Sequence, residues 1–461
     1  MRRTIFFPAL LGACALFAQS LFAQATPPTA DNGEEQYPTA GAFLTLVVGD
    51  SNDVLNALAW VKANWEPGMV PMALESIRLM RDPIGRINLL ETMEEKTNQS
   101  FGVDIRAWQT WWWNQDTKPS RGYATFKETL YGLIDPKFKN YFGEKLPATI
   151  RLDEAIWGGV RQDGIPPLRN PVMISASEAE YLEDSNVVFG ISLNGDARAY
   201  PKRILAWHEM FVDKVGGKEV AGVYCTLCGT VILYFTELNG VNHEIGTSGF
   251  LYRSNKLMYD KATQSLWSTM RGTPVIGELV GKGIRLKRGA VVTTTWGEWR
   301  RRHPETQVLS VSTGHQRDYG EGAAYASYFA TDELMFSVPK VDTRLANKAE
   351  VLVLRRLDGS DPLAIDSDYL SANPVHHDQV GDQAFVVLTD KSGANRAFNA
   401  GSPKIIAFDG DATATDEDGG QWTVTEAALT MDGSEPRARV PANRAFWFGW
   451  YAAFPDSRLV K

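Results

Sequence analysis

Cysteine is nearly absent from this chain: Cys14, Cys225 and Cys228 are the only three in 461 residues. A protein so poor in thiols is not stapled by a disulfide framework, the device of small secreted domains. An excess of positive charge is missing as well. Lys and Arg number 47 against 55 Asp and Glu, a formal charge of −8, and no basic run stands out, which argues against nucleic acid as a partner. After the first 25 residues no apolar stretch is long enough to span a bilayer. Three signatures are also lacking: Gly-x-Ser-x-Gly, His-Glu-x-x-His and the P-loop. The acidic "DGDATATDEDGG" has no closing Glu in calcium-loop register and reads as an exposed turn.

What is present begins with a leader. "MRRT" is a short basic segment, "IFFPALLGACALFAQSLF" an apolar core, and Ala23-Gln24-Ala25 a small-x-small cleavage site, together a Sec-type export signal over 1–25. A periplasmic or secreted location follows as an expectation. Leu11-Gly12-Ala13-Cys14 resembles a lipobox, but the apolar run continues past Cys14 where a lipoprotein turns polar, so lipidation is the weaker alternative. Arg2-Arg3 fits a twin-arginine signal poorly. Residues 26–41 are polar and rich in proline, a linker.

The remainder predicts an α+β protein: a helical domain over 42–146, then a β-rich domain over 147–461. Ser51 can cap "NDVLNALAWVKANW" and Asp104 can cap "IRAWQTWWWNQ". Trp108, Trp111 and Trp112 share one face of that last helix and read as a helix–helix contact. From 147 onward short β-branched runs alternate with turns, and "ISLNGDARAYP" reads as a hairpin turning at Asn194-Gly195. "NGDARAYPKRILAWHEMFVDKVGGKEVAGVY" lies without gaps on "GSDPLAIDSDYLSANPVHHDQVGDQAFVVLT", and "TTWGEWRRRHPETQVL" resembles "AFWFGWYAAFPDSRLV". Two related lobes, about 185–312 and 350–461, are therefore expected, each closing on a Trp-x-x-Trp turn (Trp296 and Trp299; Trp447 and Trp450) that pins itself to a sheet. In this register Cys225 and Cys228 fall on Asp390 and Gly393, so the thiols belong to one lobe only.

The pair itself lies in "VAGVYCTLCGTVILYF". Three chemistries remain open. One is a knuckle for a thiophilic metal, copper or zinc, with Cys225, Cys228, His208 and Met258 as ligands and Glu209 and Asp260 as their orienters; His243 and Met210 are further donors in the lobe. The second is thiol–disulfide exchange, although the β-branched run after Cys228 removes the helix N-terminus that normally lowers the thiol pKa. The third is a static disulfide in a non-catalytic interaction scaffold; so small a ring contributes only about 2 kcal/mol. The stretch "HEIGTSGFLYRSNKLMYDKATQSLWS" is dense in donors and acceptors and is either a binding loop or a network of turns.

"NGDARAYPKRILAWHEMFVDKVGGKEVAGVYCTLCGT", "GTSGFLYRSNKLMYD", "QSLWS" and "TTWGEWRRRHPET" together resemble the bacterial family called domain of unknown function 3179, over about residue 150 to the C-terminus. The resemblance implies that Trp207, His208, Glu209, the two cysteines, Ser248, Met258, Tyr259, Asp260 and Trp267 lie on motifs shared with relatives. It assigns no activity. The family usually has proline after the first cysteine, where this chain has Thr226. The helices before 147 lie outside the resemblance and are expected to dock a protein partner.

Overall fold

The structure, a computed structural model, describes residues 38–461. The expected export signal, Cys14 and most of the expected linker lie outside the described residues. The first helix, Pro38–Val48, starts inside that linker because Ala40, Phe43, Leu46 and Val47 bury a common face, while Pro38 sits at a first-turn position that has no need of its missing N–H. The next helix, Ser51–Ala63, is capped one residue earlier than expected: the Asp50 carboxylate accepts from Asn52 N and Asp53 N. Asp104 caps Ile105–Trp113 as expected.

Four more α-helices (Val70–Leu79, Pro83–Thr97, Ile105–Trp113, Tyr123–Gly132) complete a helical region over 38–140 with its short 3-10 turns, and a β-rich region follows. The helices do not close on themselves. Phe43, Met72, Trp108, Phe126 and Tyr131 share one apolar core with Ile156, Phe250, Leu257 and Ile276, which lie on or beside a five-stranded sheet ordered Ala155–Trp157, Ile245–Tyr252, Asn255–Asp260, Leu266–Ser268, Thr273–Ile276. Trp108 and Trp112 are buried and Trp111 partly so. The stripe grips this β region as well as other helices: Trp112 Nε1 donates to Asp153 Oδ2 at 2.7 Å and Trp113 Nε1 to the Asp153 carbonyl at 3.2 Å.

The rest of the β region contains two sheets of closely similar plan. In one, Val292–Thr295 pairs antiparallel with Val187–Leu193, which pairs antiparallel with Asp196–Pro201, which pairs parallel with Gln307–Leu309. In the other, Asn443–Phe446, Glu350–Leu354, Leu363–Asp366 and Arg458–Val460 follow the same order and the same senses. The Asn194-Gly195 turn joins the first hairpin with both residues at positive φ, 50° and 86°, the geometry that suits a two-residue link between twisted strands. Each Trp-x-x-Trp motif opens a seven-residue helix, Trp296–Arg302 or Trp447–Ala453. In each, the second Trp donates to a hydroxyl seven residues on: Trp299 to Thr306 at 2.9 Å and Trp450 to Ser457 at 2.7 Å. All four indoles are buried.

Close packing of these anchors explains Gly190. A Cβ added there would stand 2.3 Å from the Trp299 ring, well inside van der Waals contact. Gly190→Ala is expected to cost about 1–3 kcal/mol through overpacking, and trimming the ring in Gly190→Ala/Trp299→Leu to recover part of that loss. Urea midpoints of the three proteins check it; a Gly190→Ala protein as stable as the parent would show that the indole does not press on the strand.

Candidate functional site: a buried dithiol at a hairpin bend

The strands Lys218–Cys225 and Thr230–Phe235 form an antiparallel hairpin in which Cys225 pairs with Thr230. Cys225 ends the first strand, and Thr226–Cys228 makes a single 3-10 turn. Gly229 turns the chain into the second strand at φ 57°, a conformation that costs a glycine little. The bend leaves both sulfurs on the same side. They are free thiols, 2.8 Å apart, and buried at 2% and 0% exposure. Cys228 Sγ also contacts the Ser254 carbonyl at 3.2 Å.

The walls come from distant parts of the chain. Met258 and Trp267 of the five-stranded sheet and Met270 of the turn after Leu266–Ser268 share one apolar cluster with both cysteines, and so do Trp447, Trp450 and Tyr451 of the Trp447–Ala453 helix. The Trp447–Ala453 helix presses closest: a Cβ on Gly449 would lie 2.9 Å from Cys228 Cβ. From outside, Tyr328 donates its hydroxyl to the Leu227 carbonyl at 2.7 Å, and Ser254 Oγ donates to the carbonyls of Phe336 and Ser337. The segment around Tyr328 to Ser337 thus covers the bend.

Next to the thiols lies a buried ion pair. Lys256 Nζ is 2.5 Å from Glu209 Oε2, with both side chains under a tenth exposed. Glu209 ends the helix Lys202–His208 in a left-handed conformation, which turns its side chain back to this pair. The two thiols are driven apart in acidity. Burial pushes both up. At Cys225, however, the hydrogen bond with Cys228, the Lys256 backbone N–H and the Lys256 ammonium outweigh burial and the Glu209 charge, and its pKa falls below the ordinary thiol value. Cys228 is held well above that value by burial first and then by its hydrogen bond with Cys225. One thiol of the pair ionises before the other.

The remaining residues singled out in the sequence divide into those near the thiols and those elsewhere. Glu209 is close, through its pair with Lys256, and Met258 and Trp267 lie in the apolar cluster that holds both cysteines. His208 is not brought to the sulfurs. Its Nδ1 meets the Pro166 carbonyl at 2.9 Å and its Nε2 the Tyr319 hydroxyl at 2.5 Å, so both nitrogens are engaged. Burial, with help from His315 and Arg317, lowers its pKa to about 4, which keeps the ring neutral at pH 7. Asp260 orients His243 rather than His208, at 2.9 Å, and caps a turn through Ala262 N and Thr263 N. Ser248 spans an irregularity between the strands Ile245–Tyr252 and Asn255–Asp260, donating to the Leu257 carbonyl and accepting from Phe250 N. Tyr259 donates to Asp163 at 2.5 Å. The stretch read as binding loop or turn network is, at these positions, sheet and turn structure.

The donor set does not fit a tetrahedral zinc site. Among the described residues no three of His, Cys, Asp and Glu are arranged to hold an ion. Lys256 and the Trp447–Ala453 helix were missed in the sequence. Lys256 could have been found, since strand alternation puts it on the same face as Met258. Nothing in the sequence marks Gly449 as the neighbour of Cys228.

Fold and site together define an α+β protein that carries a buried Cys-x-x-Cys pair on a β-hairpin. The chain belongs to the family described as Protein of unknown function (DUF3179), whose model matches residues 162–457. No curated protein and no solved structure matches it.

Proposed function

We propose that this is an exported protein whose Cys225–Cys228 pair cycles between dithiol and disulfide. One observation carries the reading: two free sulfurs 2.8 Å apart, one acidified and the other held protonated. The activating device differs from a helix N-terminus; it is the neighbouring thiol with Lys256. In the cycle, the Cys225 thiolate attacks one sulfur of a partner disulfide, whose other sulfur leaves as thiolate and takes a proton from solvent. Cys228 then loses its proton and attacks Cys225 Sγ, and the second partner sulfur departs. Two electrons pass from the pair to the partner, and the reverse sequence oxidises a partner dithiol. Both thiols are buried, so exchange requires the Tyr328–Ser337 cover to move aside. The two lobes, on this reading, descend from a duplication in which one copy gained the thiols; the matching strand orders and the Trp299–Thr306 and Trp450–Ser457 bonds support it.

Equilibration in glutathione buffers, followed by alkylation and mass measurement, tests the cycle. The expected result is a reversible transition, with Cys228→Ser retaining a mixed disulfide on Cys225 and Cys225→Ser retaining far less. A pair that stays in one state across all buffers ends the proposal. A copper(I) site is the second reading, favoured by two buried thiols that share their apolar cluster with the thioether of Met258, since soft sulfur donors select copper(I). It requires about one copper per chain in protein from the export compartment and none in the Cys225→Ser/Cys228→Ser variant.

A further inference from the structure

At the other end of the strand that leaves the thiol bend lies a group of arginines without counter-ions. Neighbouring Arg253 and Arg356 are paired, with Glu154 and Asp382. Arg271, Arg285, Arg288 and Arg355 are not: among the described residues none of the four forms an ion pair, and their side-chain hydrogen bonds go to backbone carbonyls and, at Arg355, to the Tyr234 hydroxyl. Arg271 donates to Ala453, Arg285 to Arg271, Arg288 to Arg355, and Arg355 to Met270 and Arg356. The exposed Asp358 feels Arg285 but does not reach it. Arg355 is 4% exposed. Arg271 and Arg355 both stand 5.5 Å from the centre of the Phe454 ring, so two cations flank one aromatic side chain.

Like charges held together at partial burial repel one another unless an anion joins them. The strain is visible: burial and then the Arg355 charge lower Arg288 to about 9, and burial with Arg285 and Arg271 lowers Arg355. Beside Arg271 is a polar cavity of about 130 Å³, lined also by Thr149, Tyr252, Ser268 and Thr273. That supplies hydroxyls next to a guanidinium fork, the donor set suited to an oxyanion. We propose that Arg271, Arg285, Arg288 and Arg355 form a binding site for a multiply charged oxyanion such as a phosphate or diphosphate group. The site is independent of thiol chemistry and stands or falls apart from it.

The probes are inorganic phosphate, inorganic pyrophosphate and vesicles containing phosphatidylglycerol, each against sodium chloride at equal ionic strength. Binding is read by calorimetry and by the unfolding midpoint. The expected result is pyrophosphate bound more tightly than phosphate, with at least a tenfold loss of affinity in Arg271→Gln/Arg285→Gln, whose side chains lie at the rim. Arg300→Gln, which removes a surface partner of Asp184, is expected to bind as the parent does. Affinity for free pyrophosphate assigns the site to a soluble molecule, and affinity for vesicles alone, lost in the double variant, assigns it to a lipid headgroup. No affinity beyond that of chloride, or affinity unchanged in the double variant, overturns the site.

Discussion

Arg396→Met is expected to lower the unfolding free energy by about 3–5 kcal/mol, the usual consequence of leaving buried carboxylates without their partner. Arg396 is 1% exposed. Its Nη1 lies 2.7 Å from Asp390 Oδ2, its Nε 2.7 Å from Glu426 Oε1, and its Nη2 3.5 Å from Glu298 Oε1. Arg302 pairs with Glu298, and Arg439 with Glu426 at 3.0 Å. Three guanidiniums thus face three carboxylates, and Glu298 and Arg302 come from the helix Trp296–Arg302 while the others come from beyond residue 389. Removing Arg396 leaves three buried anions and two cations at this junction. Arg396→Lys keeps a charge but not the fork that serves three acceptors, and an intermediate loss is expected. Urea unfolding of the two variants decides it; a loss under about 1 kcal/mol for the Met variant would mean that water already screens the cluster.

The same network sets an acid limit. Burial alone would raise the Asp390 and Glu426 carboxyls. Arg396 reverses this at both: Asp390 falls below its ordinary 3.8 and Glu426 well below 4.5. A carboxyl with a depressed folded pKa binds protons less readily folded than unfolded. Its contribution is full above the unfolded values near 4 and is lost as pH falls from there through the folded ones. The parent is therefore expected to lose stability steeply below about pH 4, and Arg396→Met to show a shallower slope over that interval. Equal slopes in the two proteins would place the acid-sensitive groups elsewhere.

Much of the architecture was legible because local rules and global packing agree. The Asp104 cap, the Asn194-Gly195 hairpin and the buried Trp pairs each follow from a short segment whose preference the tertiary structure does not oppose. The first helix was masked by Pro38 and Gly41, which read as linker until the buried face from Ala40 to Val47 is seen. The thiol bend was legible as well, since Cys-x-x-Cys-Gly between two β-branched runs allows little else. Its surroundings were not. Glu209 and His208 are adjacent in sequence, yet the left-handed turn at Glu209 sends one toward the thiols and leaves the other with Tyr319. The cover from Tyr328 and the wall from Gly449 arrive across separations of about a hundred and two hundred residues, which no spacing rule spans. The arginine group has the same origin, its members being drawn together only by strand order.

Lys127→Met is expected to destabilise the protein by about 3–5 kcal/mol, and the result bears on what the helices are for. Lys127 is fully buried. Its ammonium lies 2.6 Å from Glu75 Oε1 and donates to the Ala155 carbonyl at 2.9 Å, at the first strand of the five-stranded sheet. The rings of Tyr123, Tyr131 and Phe142 surround it at 5.4, 5.0 and 4.9 Å. With Lys127 gone, Glu75 keeps the neutral hydroxyls of Tyr123, at 2.7 Å, and Tyr131, too little for a buried carboxylate. Lys127→Met/Glu75→Leu removes both charges and is expected to recover most of the loss, because apolar side chains of similar volume replace buried ion pairs at little cost. A large coupling in this cycle would mean that one charged contact fastens the Val70–Leu79 and Tyr123–Gly132 helices to each other beside the sheet. Additive losses would mean that the layer is held by the shared apolar core alone, and that the lysine is retained for some other reason.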